Sequence, residues 1–118
     1  MTIAVLDAGV AIGWITGRRR SLVGIERLMD AGRLGRITLV LSVVNLAEVL
    51  RHTKEMVQAT GADPWQMLQG YGVRLHRPDE VVARAVALLP CSLADGFAAA
   101  TAQVLGGRLH TTTRGGKR

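Results

Sequence analysis

The chain has 118 residues, of which 48% are apolar and 3% aromatic, and its formal net charge is +6. This length fits one domain with one aliphatic core, and the apolar content argues against intrinsic disorder. Cys91 is the single cysteine, which excludes an intramolecular disulfide framework and fits a reducing compartment. The sequence has no secretory signal before Asp7 and no apolar run of the roughly 18 residues that a membrane span needs. We therefore expect a soluble, cytoplasmic protein without membrane contact.

The first half of the chain predicts two strands, each followed by helix. Residues 3–6 are an apolar run rich in β-branched side chains, typical of a strand. Residues 10–15 and 21–29 have the apolar spacing of helices, with a loop at Gly17 and an end at Gly32 and Gly35. Residues 37–41 predict a buried strand, after which Ser42 caps a helix that runs through Leu50.

The second half continues this alternation. Asp63-Pro64 marks a helix start, residues 73–75 predict a short strand, and Asp79 caps a helix over 81–89. An Ala-rich helix over 92–105 stops at Gly106-Gly107, and residues 109–112 predict a final strand. Strands that alternate with helices indicate a parallel sheet covered on both faces. We expect an α/β fold, a three-layer α/β/α sandwich with a central parallel sheet, as one domain over residues 1–118.

Basic residues are concentrated in two clusters. One cluster is Arg18, Arg19 and Arg20, and the other begins at Arg114 near the C-terminus. Basic surfaces attract polyanions, so these clusters favour a nucleic-acid partner and supply candidate RNA contacts. The alternative is that the arginines reflect genomic base composition or serve solubility.

Three acidic residues lie where a site is expected on such a fold, since ligands on open α/β sheets bind beyond the carboxyl ends of the strands. Asp7 follows the first strand, Glu48 lies on the helix after the second, and Asp95 lies one turn into the Ala-rich helix. Each acid also has a purely structural interpretation. Asp7 suits a helix cap, Glu48 an ion pair with Arg51 or His52, and Asp95 a favourable interaction with the helix dipole.

Four segments of the chain resemble the motifs of the PIN-domain family. Val5-Leu6-Asp7-Ala8-Gly9-Val10 resembles the opening strand and first acid, and residues 41–50 (LSVVNLAEVL) are similar to the second motif, with Glu48 as its acid. Residues 93–102 (LADGFAAATA) are similar to the third motif, and residues 109–114 (LHTTTR) to the fourth, which normally reads Thr-Thr-Asp-Arg. The order and spacing match across almost the whole chain. Within this family, a small single-domain chain of this length most resembles the VapC-like toxins of type II toxin–antitoxin systems.

This resemblance implies a metal-dependent endoribonuclease. Asp7, Glu48 and Asp95 would be the catalytic carboxylates and would bind Mg²⁺ or Mn²⁺, hard cations that prefer oxygen ligands. The metal would lower the pKa of a bound water and stabilise charge at the scissile phosphodiester. The resemblance also implies an RNA substrate, single-stranded or looped, a small cognate antitoxin protein and a homodimer.

The sequence departs from the family pattern at three places. Thr113 stands where the fourth acid is usual, and its neutral hydroxyl is a poor ligand for Mg²⁺. Gly9 stands where Ser or Asn is frequent, which removes a possible supporting hydrogen bond. The chain ends soon after the fourth motif, which predicts a truncated C-terminal strand and an exposed sheet edge.

These departures keep two other hypotheses open. One is a catalytically weakened or inactive PIN-fold protein that binds RNA or an antitoxin. The other is a small α/β interaction module whose acids serve only as caps and in ion pairs.

Overall fold

The computed structural model describes residues 2–17 and 22–112 of the chain. These residues form four strands and seven helices, with two or three helices between successive strands. The elements are, in chain order, β1 (Ile3–Leu6), α1 (Ala8–Thr16), α2 (Leu22–Arg33), β2 (Thr38–Ser42), α3 (Val43–His52), α4 (Lys54–Thr60), α5 (Pro64–Gly70), β3 (Arg74–His76), α6 (Glu80–Ala87), α7 (Leu93–Leu105) and β4 (Arg108–His110). No helix within these described segments is long and apolar enough to span a membrane.

The strands form one parallel sheet in the order β3-β2-β1-β4. Leu6, at the end of β1, is paired with Leu41 of β2 on one side and with His110 of β4 on the other. The chain moves outward from β1 to β3 and then returns to the far side of β1 as β4. The direction of winding therefore reverses at β1, and ligands of open α/β sheets typically bind beyond the carboxyl ends of the strands at such a point.

Successive strand residues point to opposite faces of the sheet, and in β1 and β2 both sets are apolar. Helices therefore cover both faces. On one face, Leu6 and Leu41 belong to the larger core cluster, which includes residues of α1, α2, α3 and α5. On the other face, Val5 and Val40 pack with Ala102 of α7. A third cluster joins α6 to α7. The predicted three-layer α/β/α sandwich with a central parallel sheet is confirmed.

Among the element boundaries that differ from the sequence prediction, two differ for reasons that the contacts identify. The last strand ends at His110 rather than at residue 112, because β1, its pairing partner, already ends at Leu6 where Asp7 begins a helix cap. The helix after Ser42 breaks at Thr53, whose hydroxyl donates to the Val49 carbonyl over 2.8 Å, and α4 follows at once. This break was not predicted.

Gly32 lies inside α2 rather than beyond its end. The helix continues to Arg33, and the left-handed glycine that follows it is Gly35, with φ of 76°. A Cβ atom on Gly32 would overlap Cδ1 of Leu39, a fully buried β2 residue. Gly32 therefore allows α2 to pack closely on the sheet.

Gly32→Ala should destabilise the protein by about 1–3 kcal/mol, because the overlap with Leu39 outweighs the better helix propensity of alanine. Gly24→Ala is the matched control: Gly24 lies in the same helix, and a Cβ there would meet no atom within 4 Å. That substitution should stabilise the protein by up to about 1 kcal/mol. Urea unfolding of both variants measures the two effects, and a Gly32→Ala variant as stable as the wild type would contradict the close packing of α2.

Candidate functional site

Asp7 lies at the carboxyl end of the central strand β1 and is 6% exposed. Its backbone N–H donates to the His110 carbonyl over 3.1 Å, which continues the pairing of β1 with β4. Its Oδ1 accepts the backbone N–H of Val10 at 2.8 Å and caps α1. The capping role that the sequence offered as an alternative is therefore present. It does not account for the electrostatics of the carboxylate.

Burial is the main cause that raises the pKa of the Asp7 carboxyl above its ordinary value. Hydrogen bonds from the Thr111 side chain and the Val10 backbone stabilise the charged form and lower the pKa, in that order. The negative charges of Asp95 and Glu48 raise it further. The structure thus brings the three predicted acids near enough together for the charge of two of them to act on the third.

Asn45 connects the elements that carry the other two acids. Its side-chain amide donates to Oε1 of Glu48 at 3.2 Å and to the carbonyl of Ala94, the residue before Asp95, at 3.0 Å. Asn45 is 1% exposed, whereas Glu48 is half-buried and Asp95 is exposed in the first turn of α7. The contact therefore joins α3 to the N-terminal turn of α7.

The alternative interpretation of Glu48, an ion pair with Arg51 or His52, is not found in the described part of the chain. The ion pairs there are Arg33–Asp30 and Arg84–Glu80, both on helix surfaces. The His52 ring lies 2.9 Å from the backbone carbonyl of Glu48, not from its carboxylate. Glu48 and Asp95, whose charges act on Asp7, thus have no ion-pair partner among residues 2–17 and 22–112.

The donor set fits a hard divalent cation, because all three side chains offer carboxylate oxygens. Burial of Asp7 beside two other acids is the electrostatic setting that a cation relieves. Within the described segments, however, no three Asp, Glu, His or Cys side chains are arranged as a ready-made metal site. The acids share an electrostatic environment without forming a closed set of ligands.

The fourth motif reaches the site through its threonines. The Thr111 side chain hydrogen-bonds the Asp7 carboxyl. A Cβ on Gly9 would lie 2.5 Å from Oγ1 of Thr112 and 3.4 Å from Oδ1 of Asp7. Gly9 therefore leaves the space that the Thr112 side chain occupies beside Asp7, a consequence that was not predicted.

Several predicted site residues lie outside the described residues. They are Thr113, Arg18, Arg19, Arg20 and Arg114. Asn45 and Thr111, in contrast, were not predicted as partners of the acids. A signal for Asn45 was available, since it is the only asparagine in the chain and lies three residues before Glu48, on the same helix face.

The fold is a parallel sheet with helices on both faces and Asp7 at the carboxyl end of its central strand, and comparison with solved structures defines its class as PIN-like. Two solved structures have a similar fold over most of this chain. VapC20 from Mycobacterium tuberculosis, a sarcin–ricin loop cleaving toxin, matches with a TM-score of 0.68 and 11% identity, over 93% of this chain and 89% of its own. VapBC2 from Rickettsia felis, bound to a DNA fragment from its promoter, matches with a TM-score of 0.60 and 13% identity, over 92% and 86%.

Because the sequence identities are only 11% and 13%, the structural similarity establishes the fold and nothing further. No protein-family profile matches the sequence, and no curated protein is significantly similar to it. The PIN-like fold that the four motifs predicted is thus supported by three-dimensional structure alone.

Asp7→Asn should stabilise the protein in a buffer free of divalent cations. The folded-state pKa of Asp7 is raised, so the folded protein binds this proton more tightly than the unfolded chain does. The free energy of unfolding therefore falls as the pH rises from the ordinary carboxyl value of 3.8 through the folded-state pKa. Asparagine removes this loss and still caps α1, and we expect a gain of about 0.5–2 kcal/mol near neutral pH.

The gain should shrink as the pH falls toward the ordinary carboxyl pKa, which thermal unfolding across a pH series measures. Asp79→Asn is the control, because Asp79 is an exposed cap that accepts the Val82 N–H at 3.2 Å. Its substitution should change stability by less than about 0.5 kcal/mol. A pH-independent difference between Asp7→Asn and wild type would contradict an electrostatic cause.

Proposed function

We propose that this protein is a metal-dependent endoribonuclease that acts as a VapC-like toxin. The observation that carries the proposal is the buried Asp7 carboxyl at the switch point of a PIN-like sheet, with the charges of Glu48 and Asp95 acting on it. Such a setting is costly for a protein that uses these residues only as helix caps. The similarity to a sarcin–ricin loop cleaving toxin supports the same activity.

Asp7, Glu48 and Asp95 are the residues that would bind Mg²⁺ or Mn²⁺. A bound divalent ion supplies a water of lowered pKa and stabilises charge on the oxygens of the phosphodiester. Asp7 is fixed by the end of β1 and by the Val10 and Thr111 hydrogen bonds, so it forms the rigid side of the site. Glu48 is oriented by Asn45, and Asp95 is open to solvent where a polyanion can approach.

An RNA substrate fits the charge of the chain. The net charge of +6 attracts a phosphate backbone. Arg51, one helical turn after Glu48, and Arg77, directly after β3, are exposed cations on elements that end at or leave this edge of the sheet. Arg18, Arg19, Arg20 and Arg114 remain candidate contacts. We expect looped or single-stranded RNA, in which bases and backbone are accessible, as the substrate.

A small antitoxin protein is the proposed partner. The support is the similarity to VapBC2, a toxin–antitoxin pair by name. Binding of the antitoxin would restrain the nuclease until it is released, and a homodimer remains an expectation from the family resemblance.

A second candidate function is RNA or antitoxin binding without cleavage. Two observations favour it: Thr113 replaces the usual fourth acid, and the described acids do not form a closed ligand set. In this case Asp7 and its neighbours would bind a cation weakly, and the protein would act through binding alone.

Mn²⁺-dependent cleavage of a panel of RNA hairpins that includes the sarcin–ricin loop separates the two candidates. The wild type should cleave, and Asp7→Asn should reduce the rate by more than about 100-fold, beyond the range typical of residues that only support metal ligands. Asp63→Asn is the matched control, since Asp63 also caps a helix, through the Trp65 N–H at 3.0 Å, but is exposed and is not among the charges that act on Asp7. It should leave cleavage unchanged.

Thr113→Asp restores the fourth acid and should increase the rate. Cleavage only in Thr113→Asp would mean a PIN-like site disabled at its fourth position, which favours the binding function. Cleavage by none of the proteins, or equal cleavage by wild type and Asp7→Asn, would overturn the nuclease proposal.

A further inference from the structure

Asn45 is a fully buried amide whose two hydrogen-bond partners are both acceptors. Its Nδ2 donates to Oε1 of Glu48 and to the carbonyl of Ala94, over 3.2 Å and 3.0 Å, while its Oδ1 is buried without a hydrogen-bond partner in the described part of the chain. A buried acceptor without a partner costs free energy of about 1–3 kcal/mol. The orientation that lets the amide hydrogens reach Glu48 and Ala94 therefore leaves the Oδ1 atom without a hydrogen bond, at a cost in free energy.

The chemistry of these partners fixes the orientation of Asn45. A carboxylate and a carbonyl accept hydrogen bonds and cannot donate them, so only the NH₂ end of the amide can face both. The reversed amide would place three oxygens together in a buried place. Aspartate, the closest isostere, would do the same and add a charge, so the position requires a neutral double donor.

We propose that Asn45 is a positioning residue for the metal site, which holds Glu48 in register with Asp95. The proposal rests on the proposed function, because it assigns Asn45 a role toward the carboxylates that would bind Mg²⁺ or Mn²⁺. One amide fixes the carboxylate of Glu48 on α3 and the backbone beside Asp95 on α7. Asn45 itself does not act as a ligand, because its donor end faces the carboxylate of Glu48 and the carbonyl of Ala94.

The position of Asn45 suits this role better than a packing role. An apolar side chain of similar size would fill the space between α3 and α7 without leaving an unsatisfied oxygen. The described acids are not preassembled as a closed ligand set, so a contact that limits the relative motion of Glu48 and Asp95 would lower the cost of gathering them around a cation. Residues that orient ligands typically contribute about 10- to 100-fold to metal affinity.

The first test measures Mn²⁺ binding by the intact protein from the electron paramagnetic resonance signal of free Mn²⁺. Asn45→Ala should bind Mn²⁺ about 10- to 100-fold more weakly than the wild type. Thr53→Val is the matched control: Thr53 is also 1% exposed and hydrogen-bonded at α3, but its hydroxyl donates to the Val49 carbonyl. Both variants should lose several degrees of thermal stability, and only Asn45→Ala should lose Mn²⁺ affinity.

Two further variants test whether position 45 is a ligand position and whether Asn45 acts through Glu48. Asn45→Asp should weaken Mn²⁺ binding, since it removes both donated hydrogen bonds; tighter binding would make position 45 a ligand position and overturn the proposal. In a Glu48→Gln background, Asn45→Ala should cause a much smaller further loss of affinity than in the wild type, because the two residues act as a unit. Fully additive losses would show that Asn45 does not act through Glu48.

A spectroscopic measurement reports the contact directly. Because Asn45 is the only asparagine, selective ¹⁵N-asparagine labelling gives one side-chain amide in the NMR spectrum. Its signals should shift on titration with Mg²⁺ in the wild type and in Thr53→Val, and this shift should be lost in Glu48→Gln.

The role of Asn45 and the proposed nuclease function fail in different ways. A wild type that binds no Mn²⁺ would overturn both. A wild type that binds Mn²⁺, with equal binding by Asn45→Ala, would overturn the role of Asn45 and leave the metal site in place.

Discussion

The site depends on the burial of one carboxylate at the end of the central strand. Asp7 is the last point at which β1 pairs with β4, through the hydrogen bond from its backbone to His110, and it is also the cap from which α1 begins. The same residue thus ends a strand, starts a helix and carries a charge in a partly desolvated place. Moving it would disturb both elements, so its carboxylate is fixed before any ligand is bound.

The other two acids are held less tightly, and the difference follows from their elements. Glu48 and Asp95 lie on helices that leave the sheet edge. The Glu48 side chain is half-buried, and the Asp95 side chain is exposed. Asn45 joins these helices through one buried amide. The site therefore combines a rigid acid on the sheet with two acids whose relative position depends on helix packing. A small change between α3 and α7 would change the spacing of the carboxylates.

Much of the fold was predictable because its signals are local. Strands β1 and β2 are short β-branched runs, and the capping side chains of Ser42, Asp63 and Asp79 precede their helices as expected. The break at Thr53 and the close packing of Gly32 on β2 were not predictable, because both depend on what the neighbouring element presents. The periodicity of apolar residues indicates which side chains face the core, but it does not indicate which of them are in contact.

The location of the three acids was predictable, whereas most of the contacts that support them were not. Asp7 follows β1, Glu48 lies on the helix that follows β2 and Asp95 lies in the first turn of α7, so the order of elements favours one edge of the sheet for all three. The contacts of Thr111 with Asp7 and of Asn45 with Ala94 join distant parts of the chain, and no local pattern indicates them. The ion pair considered as an alternative role for Glu48 is absent from the described residues for a related reason, since spacing along a helix permits a contact with Arg51 without requiring it.

The Asn45–Ala94 contact spans 49 residues of chain and so has a consequence for the order of assembly. Contacts of large sequence separation form late, because the entropy of closing the intervening loop must be overcome first. During synthesis, β1, β2 and α3 leave the ribosome well before α7 does, and an incomplete chain has no carbonyl at position 94 to receive the amide. The arrangement of the acids therefore requires a chain that extends through α7, and a shorter nascent fragment cannot acquire it.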